Sequence, residues 1–334
     1  MIALQTVISL LPVFLFLIAL LLLDSFKLVR PRDLILTIFY GAIVSLICYL
    51  LNGWLKNLLN VDWQTFTRYM APPIEEIFKS IYIFILIKKG RIGFAVDAAI
   101  FGFAIGAGFA FIENIYYLIT LEEDNLLIWI IRGFGTAVMH GGTTAIFAII
   151  TQSLQERVKF KSINVFIPGF MIAGVLHSFF NHFVVSPVVL TFGQLVVLPV
   201  LVMVIFSQSE RRLRVWLEIG LDTDVRILEY ITTGELTQTR IGQYLLTLKN
   251  KFSGEIIADM LCYLRTYLEL AIRAKGYLMM RDSGFQPVKD PDIKAKLDEL
   301  AYLENMIGRT GKLALTPIFK KDKLSQWQMR LLKE

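Results

Sequence analysis

The stretch 71–79 reads Ala-Pro-Pro-Ile-Glu-Glu-Ile-Phe-Lys and opens an apolar run. Pro72 and Pro73 suit the first turn of a helix, where an amide hydrogen has no intrahelical partner. Glu75 and Glu76 follow within one turn, and Lys79 lies four residues after the first and three after the second, so it can reach either carboxylate. A snorkelling helix entrance with one neutralising ion pair accounts for only one of the two acids. A charged group inside a bilayer costs about 2.5–3.5 kcal/mol on insertion scales. The second carboxylate therefore needs a proton, a metal or a water-filled cavity.

A third acid sits in the run Gly-Phe-Ala-Ile-Gly-Ala-Gly-Phe-Ala-Phe-Ile-Glu-Asn over 102–114. Gly102, Gly106 and Glu113 are separated by four and seven residues and share one helical stripe. Small residues on a stripe let a second helix come close, which turns Glu113 toward a bundle rather than lipid. The glycines do not cradle phosphate, because they lie inside a span and no strand precedes them. The three histidines, His140, His177 and His182, all fall within or at the end of apolar runs. Asn181 stands four residues after His177 and shares its face, whereas His182 is turned about 140° away. One membrane histidine is ordinarily a packing residue. Two on separate spans, with glutamates on two others, point to a site.

That set can do hydrolysis. A glutamate can take a proton from water attacking a carbonyl. Histidines can hold a metal, polarise the water or stabilise an oxyanion, and Asn181 can donate to the oxyanion. Neither a Gly-x-Ser-x-Gly nor an HExxH motif is present, so the serine-hydrolase elbow and the usual helix-borne zinc signature are absent.

The elements that must position these residues are membrane helices. Hydrophobic residues make up 55% of the 334, charged residues only 19%, and mean hydropathy is +0.60. Seven apolar runs, 4–23, 34–51, 71–87, 94–119, 126–151, 163–183 and 187–207, each approach the length of about 20 residues that crosses the hydrocarbon core. The stretch 52–70, with Trp54, Trp63, Phe66 and Tyr69, reads as an interfacial amphipathic helix or an eighth crossing. The first run lacks a basic n-region and a small-residue cleavage site, so it reads as a retained span. Lys27, Arg30 and Arg32, then Lys88, Lys89 and Arg91, then Arg157, Lys159 and Lys161, then Arg211, Arg212 and Arg214 occupy alternate linkers. The positive-inside rule puts the N-terminus outside and the tail in the cytoplasm of a multi-pass cell-membrane protein. Glu75, Glu76, Glu113 and His177 then fall within about 10 Å of the outer face, with His140 deeper.

The expected fold is all-α: a transmembrane bundle over 1–209 and a soluble helical cytoplasmic domain over 210–334. Tail helices are expected over 210–219, 222–233, 236–251, 254–276 and 292–309, punctuated by Gly234, Gly254, Gly276 and Pro287, with a helix corner at Thr232-Thr233-Gly-Glu-Leu-Thr. The net charge of +6 is explained by basic membrane faces. No recognition helix is apparent, so no nucleic-acid partner is expected, and the tail reads as a module for a regulatory protein. Cys48 and Cys262 lie in different regions and offer no disulfide framework or thiolate metal cage.

Four elements, Pro73-Ile-Glu75-Glu76-Ile-Phe-Lys79, Gly108-Phe-Ala-Phe-Ile-Glu113-Asn114, His140 and His177-Ser-Phe-Phe-Asn181, occur in this order over roughly 65–185. In them the chain resembles the PrsW family of intramembrane proteases, distantly related to the CAAX-processing endopeptidases. The resemblance implies hydrolysis of a membrane-tethered protein, anti-sigma-factor-like for the best-known member, on the extracytoplasmic side. It implies Glu75 or Glu76 as general base, Glu76 slightly favoured, with Lys79 holding the other carboxylate. It implies Glu113, His140 and His177 as ligands of a metal such as zinc or as groups that orient water, and Asn181 as an aid to the oxyanion. Both zinc and metal-free glutamate chemistry stay open. The competing readings are a proton- or cation-coupled transporter built on the same buried Glu and His groups, for which inverted repeats are absent, and a non-catalytic receptor or scaffold.

Overall fold

The structure is a computed structural model that describes residues 2–157, 163–286, 290–318 and 323–332. Lys159, Lys161 and Pro287, which carry part of the charge and turn expectations above, lie outside the described residues. The chain divides into two compact units, Met1–Glu210 and Arg211–Glu334. No strand occurs among the described residues.

The first unit begins with α1 (Ile2–Leu23) and α2 (Pro31–Leu59). α3 (Trp63–Thr65) runs through a π turn, Phe66–Met70, into α4 (Ala71–Lys88). α5 (Ala95–Thr120) follows, then α6 (Leu126–Ile130), a second π turn at Ile131–Thr136, and α7 (Ala137–Arg157). A short 3-10 turn, Ile163–Phe166, leads into α8 (Ile167–His182), and α9 covers Pro187–Thr232. Six stretches among the described residues are long and apolar enough to cross a membrane: Ile2–Leu23, Pro31–Leu59, Ala95–Thr120, Leu126–Glu156, Asn164–His182 and Pro187–Thr232. The expected crossing at 71–87 is not one of them. It forms α4, whose 18 residues carry Glu75, Glu76, Lys79 and Lys88 and pack against α2, α7 and α8. The expectation for 52–70 is also corrected. Its first part extends α2 to Leu59, and the chain then turns at Asn60, whose φ is 51°. Asp62 Oδ1 accepts from the Thr65 amide at 2.9 Å and starts α3. What remains before Ala71 is too short for an eighth crossing.

α5 is the buried centre of the bundle, with Ala98, Ala104, Ala107 and Ala110 fully covered. Its glycines explain how its neighbours approach so closely. A Cβ on Gly102 would lie 2.7 Å from Ala145 Cα, and one on Gly106 would lie 2.6 Å from Gly141 Cα, both on α7. On another face a Cβ on Gly108 would sit 2.8 Å from the Ile38 carbonyl carbon of α2. Apolar side chains left outside this packing, among them Leu22, Leu50, Ile119 and Val184, are those a lipid solvent covers. Gly106→Ala is expected to lower unfolding free energy by about 1–3 kcal/mol, because backbone cannot yield as a side-chain tip can. Thermal unfolding of the purified chain checks this.

The second unit is built on the later part of α9 together with α10 (Arg240–Leu248), α11 (Gly254–Asp282), α12 (Asp292–Leu315) and α13 (Lys323–Leu331). Leu245, Met260, Leu264, Leu268, Ile293, Leu303 and Ile307 form its core. The two helices expected over 210–219 and 222–233 are parts of α9, because nothing between them breaks a helix. Gly220 instead makes room for Lys275, whose Nζ pairs with Asp224 Oδ2 at 2.6 Å. The corner after Thr232 is present: Gly234 has a φ of 79°, which only glycine adopts easily. Thr239 then caps α10, its Oγ1 accepting from the Gly242 amide at 3.1 Å. That cap, with the 3-10 turn Glu235–Gln238 before it, shortens the helix expected over 236–251. Both cysteines are free.

Candidate active site

Glu76 and Lys79 point into the protein. Lys79 is fully buried, and its Nζ donates to Glu76 Oε1 at 3.0 Å and to His140 Nδ1 at 2.9 Å while lying 4.2 Å from the centre of the Phe109 ring. The same Glu76 oxygen accepts from His177 Nδ1 at 2.9 Å and from Thr143 Oγ1 at 3.2 Å. One carboxylate thus gathers donors from α4, α7 and α8.

These contacts determine the histidine tautomers. An ammonium only donates, so His140 Nδ1 accepts, and its proton is on Nε2, which donates to Glu113 Oε2 at 2.8 Å. An ionised carboxylate only accepts, so the His177 proton is on Nδ1, facing Glu76. His177 Nε2 is left with its lone pair, 3.8 Å from Glu75 Oε2. The two rings meet edge to face with centroids 4.7 Å apart.

Glu75 has the opposite environment from its neighbour. It faces a cavity of about 810 Å³ whose lining includes Glu113, His140, His177, Tyr49, Phe109 and Tyr116, and which neither Glu76 nor Lys79 lines. Its Oε1 accepts from Asn52 Nδ2 at 3.2 Å. Its Oε2 stands 3.8 Å from His177 Nε2, beyond hydrogen-bond distance. Groups of this kind are met by a water or a cation lying beside them, on the cavity side.

Glu113 stands behind His140 and 3.5 Å from Arg132 Nη2. Arg132 is held by Asn114 Oδ1, 3.0 Å from its Nε, and by the Tyr117 ring at 3.6 Å. Asn181 lines the cavity, and its Nδ2 donates to the Thr67 carbonyl at 3.0 Å, while Ser178 Oγ donates to the Arg68 carbonyl at 2.6 Å. Together they fasten α8 to the π turn that precedes Glu75. His182 lies apart, with Nδ1 on the Ser178 carbonyl and its ring against Tyr69.

Three side chains of this site escaped the sequence reading. Arg132 is a charge inside the run 126–151, and charge inside an apolar run was the signal that could have found it. Thr143 follows His140 at helical spacing, three residues on. Asn52 ends an apolar run, where a polar residue attracts no notice.

One carboxylate oxygen of Glu75 and one nitrogen each of His140 and His177 lie within 4.8 Å of one another, a donor set of the kind that binds zinc. The resemblance implied Glu113 in that set, but its carboxylate is hydrogen-bonded to His140 rather than gathered with these atoms. The acids and histidines thus converge at one cavity within a helical membrane bundle. The family model for the PrsW family intramembrane metalloproteases matches residues 30–207, more than half the chain, and the protein belongs to that family of intramembrane proteases. No curated protein and no solved structure matches it.

Proposed function

We propose that the chain hydrolyses a peptide bond of a membrane-tethered protein with water held between Glu75 and His177. The observation that carries this is the pair of bare acceptors, Glu75 Oε2 and His177 Nε2, 3.8 Å apart at a cavity wall. Water placed there donates one proton to each. Glu75 takes the proton as the water oxygen adds to the substrate carbonyl, then gives it to the leaving amine. Glu76 holds the His177 ring by its Nδ1–H and is itself paired with Lys79. Asn181 uses one of its two N–H groups on Thr67 and has the other for the oxyanion. Glu75 therefore replaces Glu76 as the favoured base, because Glu76 has three donors of the protein on one oxygen and no cavity face.

Zinc fits by donor type. Glu75, His177 and His140 would hold it, His140 giving up either Lys79 or Glu113 to do so. Zinc would polarise the carbonyl and lower the pKa of bound water. Glu113 would then hold the far side of His140, as carboxylates behind zinc-bound histidines do. The basic linkers support an outward-opening cavity and a cytoplasmic second unit. A role for that unit in binding a regulatory protein is consistent with its separate core. Family membership and the absence of inverted repeats in the sequence favour hydrolysis over ion transport.

The test uses the full chain reconstituted in lipid with a mixture of single-span membrane proteins, followed by mass spectrometry of new chain ends and of bound metal. New ends are expected with the unaltered chain and not with His177→Ala. Zinc taken up at Glu75, His140 and His177 would be lost in the same variant, and cleavage that survives removal of metal by a chelator assigns the water to Glu75 and His177 alone. If both chains give the same ends, the hydrolase reading fails.

A further inference from the structure

The carboxylates and cations among the described residues that line the cavity are Lys56, Glu75, Glu113 and Arg132. Glu75 meets Asn52, and Glu113 meets both His140 and Arg132. Lys56 is different. Among the described residues its ammonium has no hydrogen bond or ion pair, yet its side chain is partly buried in the cavity wall rather than held out in water.

The helix explains its placement. Lys56 follows Asn52 by four residues on α2, so the two share a face and are about 6 Å apart along the axis. Asn52 Nδ2 donates to Glu75 Oε1. Lys56 therefore stands one helical turn beyond the proposed base, toward Leu59, where α2 ends. The wall about this turn is aromatic, with Tyr49, Trp54, Trp63 and Phe66. A cation in the last turn of a helix also faces the terminal carbonyls favourably, a role that needs no ligand and that the test below separates.

Two anions reach a cavity in a membrane protein: a lipid phosphate and an acidic side chain of another protein. Lys56 lines the same volume as Glu75 and His177. A segment whose bond is cut there brings its flanking residues past Lys56. An ionised Glu75 repels an acid set directly beside it, and the other cation of the lining, Arg132, already faces Glu113. Lys56 is thus where the cavity favours a substrate carboxylate.

We infer that Lys56 is a specificity-determining residue that takes an aspartate or glutamate side chain of the substrate, a few residues to one side of the scissile bond. This rests on the hydrolase reading. The substrate class is then a membrane-tethered protein with an acidic residue flanking its cutting site. The pair lies away from the reacting atoms, so it governs which bond is presented to Glu75 rather than the chemistry of cutting it.

The test uses the full chain in lipid with the same mixture of single-span membrane proteins, and reads the residues around each new chain end by mass spectrometry. With the unaltered chain, Asp and Glu are expected at one flanking position about two- to five-fold above their frequency in the mixture, the effect of a partly exposed ion pair. Lys56→Met is expected to abolish that enrichment, and Lys56→Glu to move it to Lys and Arg at the same position. The frequencies are internal to each chain, so a partly folded variant gives fewer ends without changing their bias. Ends with no acidic position in the unaltered chain overturn the inference, as does an enrichment that survives Lys56→Met. The same ends from all three chains would leave Lys56 to the helix carbonyls or to a lipid phosphate, and overturn it too. No new ends at all, or the same ends from Glu75→Gln as from the unaltered chain, would instead overturn the hydrolase reading, and this inference with it.

Discussion

Glu75→Gln is expected to lower peptide cleavage by about 10²–10⁴-fold, the contribution of a well-placed general base, with little change in thermal unfolding. Glutamine keeps the size of the side chain and still offers an oxygen to Asn52 Nδ2. What it loses is the capacity to take a proton from water beside His177 Nε2. Glu75 has no buried cation bonded to it, so no ammonium is stranded by the change. Glu76→Gln is expected to reduce cleavage as well, but by another route. Lys79 is fully buried, and its carboxylate partner among the described residues is Glu76. Removing that charge leaves an ammonium in the bundle interior, at about 3–5 kcal/mol. The two variants therefore separate on paired measurements of kcat/KM and melting temperature. A Glu75→Gln chain that melts early, or that cuts at the full rate, would return the role of base to Glu76.

Much of this site was legible because charge inside an apolar run is costly and so seldom without purpose. Glu75, Glu76, Lys79, Glu113, His140 and His177 all stand out on that ground, and the helices that carry them follow from run length. The facing of the two adjacent glutamates was not legible. They are about 100° apart on one helix, and either can be reached by Lys79. The choice is made by groups remote in sequence: His177 on α8 and Thr143 on α7 both converge on Glu76, and Asn52 on α2 meets Glu75. The same holds for Glu113. Its stripe with Gly102 and Gly106 is readable, but its pairing with His140 is set by α7, which is remote in sequence. The two π turns left no trace in hydropathy, yet one of them is the surface to which Asn181 and Ser178 fasten α8. In the second unit the expected division between 219 and 222 is absent, and α9 runs on to Thr232. Gly220 lies within it, where Lys275 packs closely enough to leave little room for a Cβ.

The Lys79–Glu76 pair permits a sharper test, because stability and activity should part company there. Lys79→Met alone is expected to destabilise the chain by about 3–5 kcal/mol, since it leaves a buried carboxylate with only His177 Nδ1 and Thr143 as donors. Combining it with Glu76→Leu removes both charges and fills the space with apolar atoms. Buried ion pairs replaced in this way are often no less stable than before. The combined variant is therefore expected to melt near the unaltered chain and well above Lys79→Met, a strongly non-additive result of the kind expected for residues in contact. Its cleavage should stay low. His177 would lose the acceptor that holds its proton on Nδ1 and so would not keep its Nε2 lone pair where the water requires it, and His140 would lose the donor that fixes its own tautomer. A combined variant as unstable as Lys79→Met would mean that the pair is not what holds these helices together. One that melts normally and also cuts normally would mean that the tautomers are set by something other than Lys79 and Glu76.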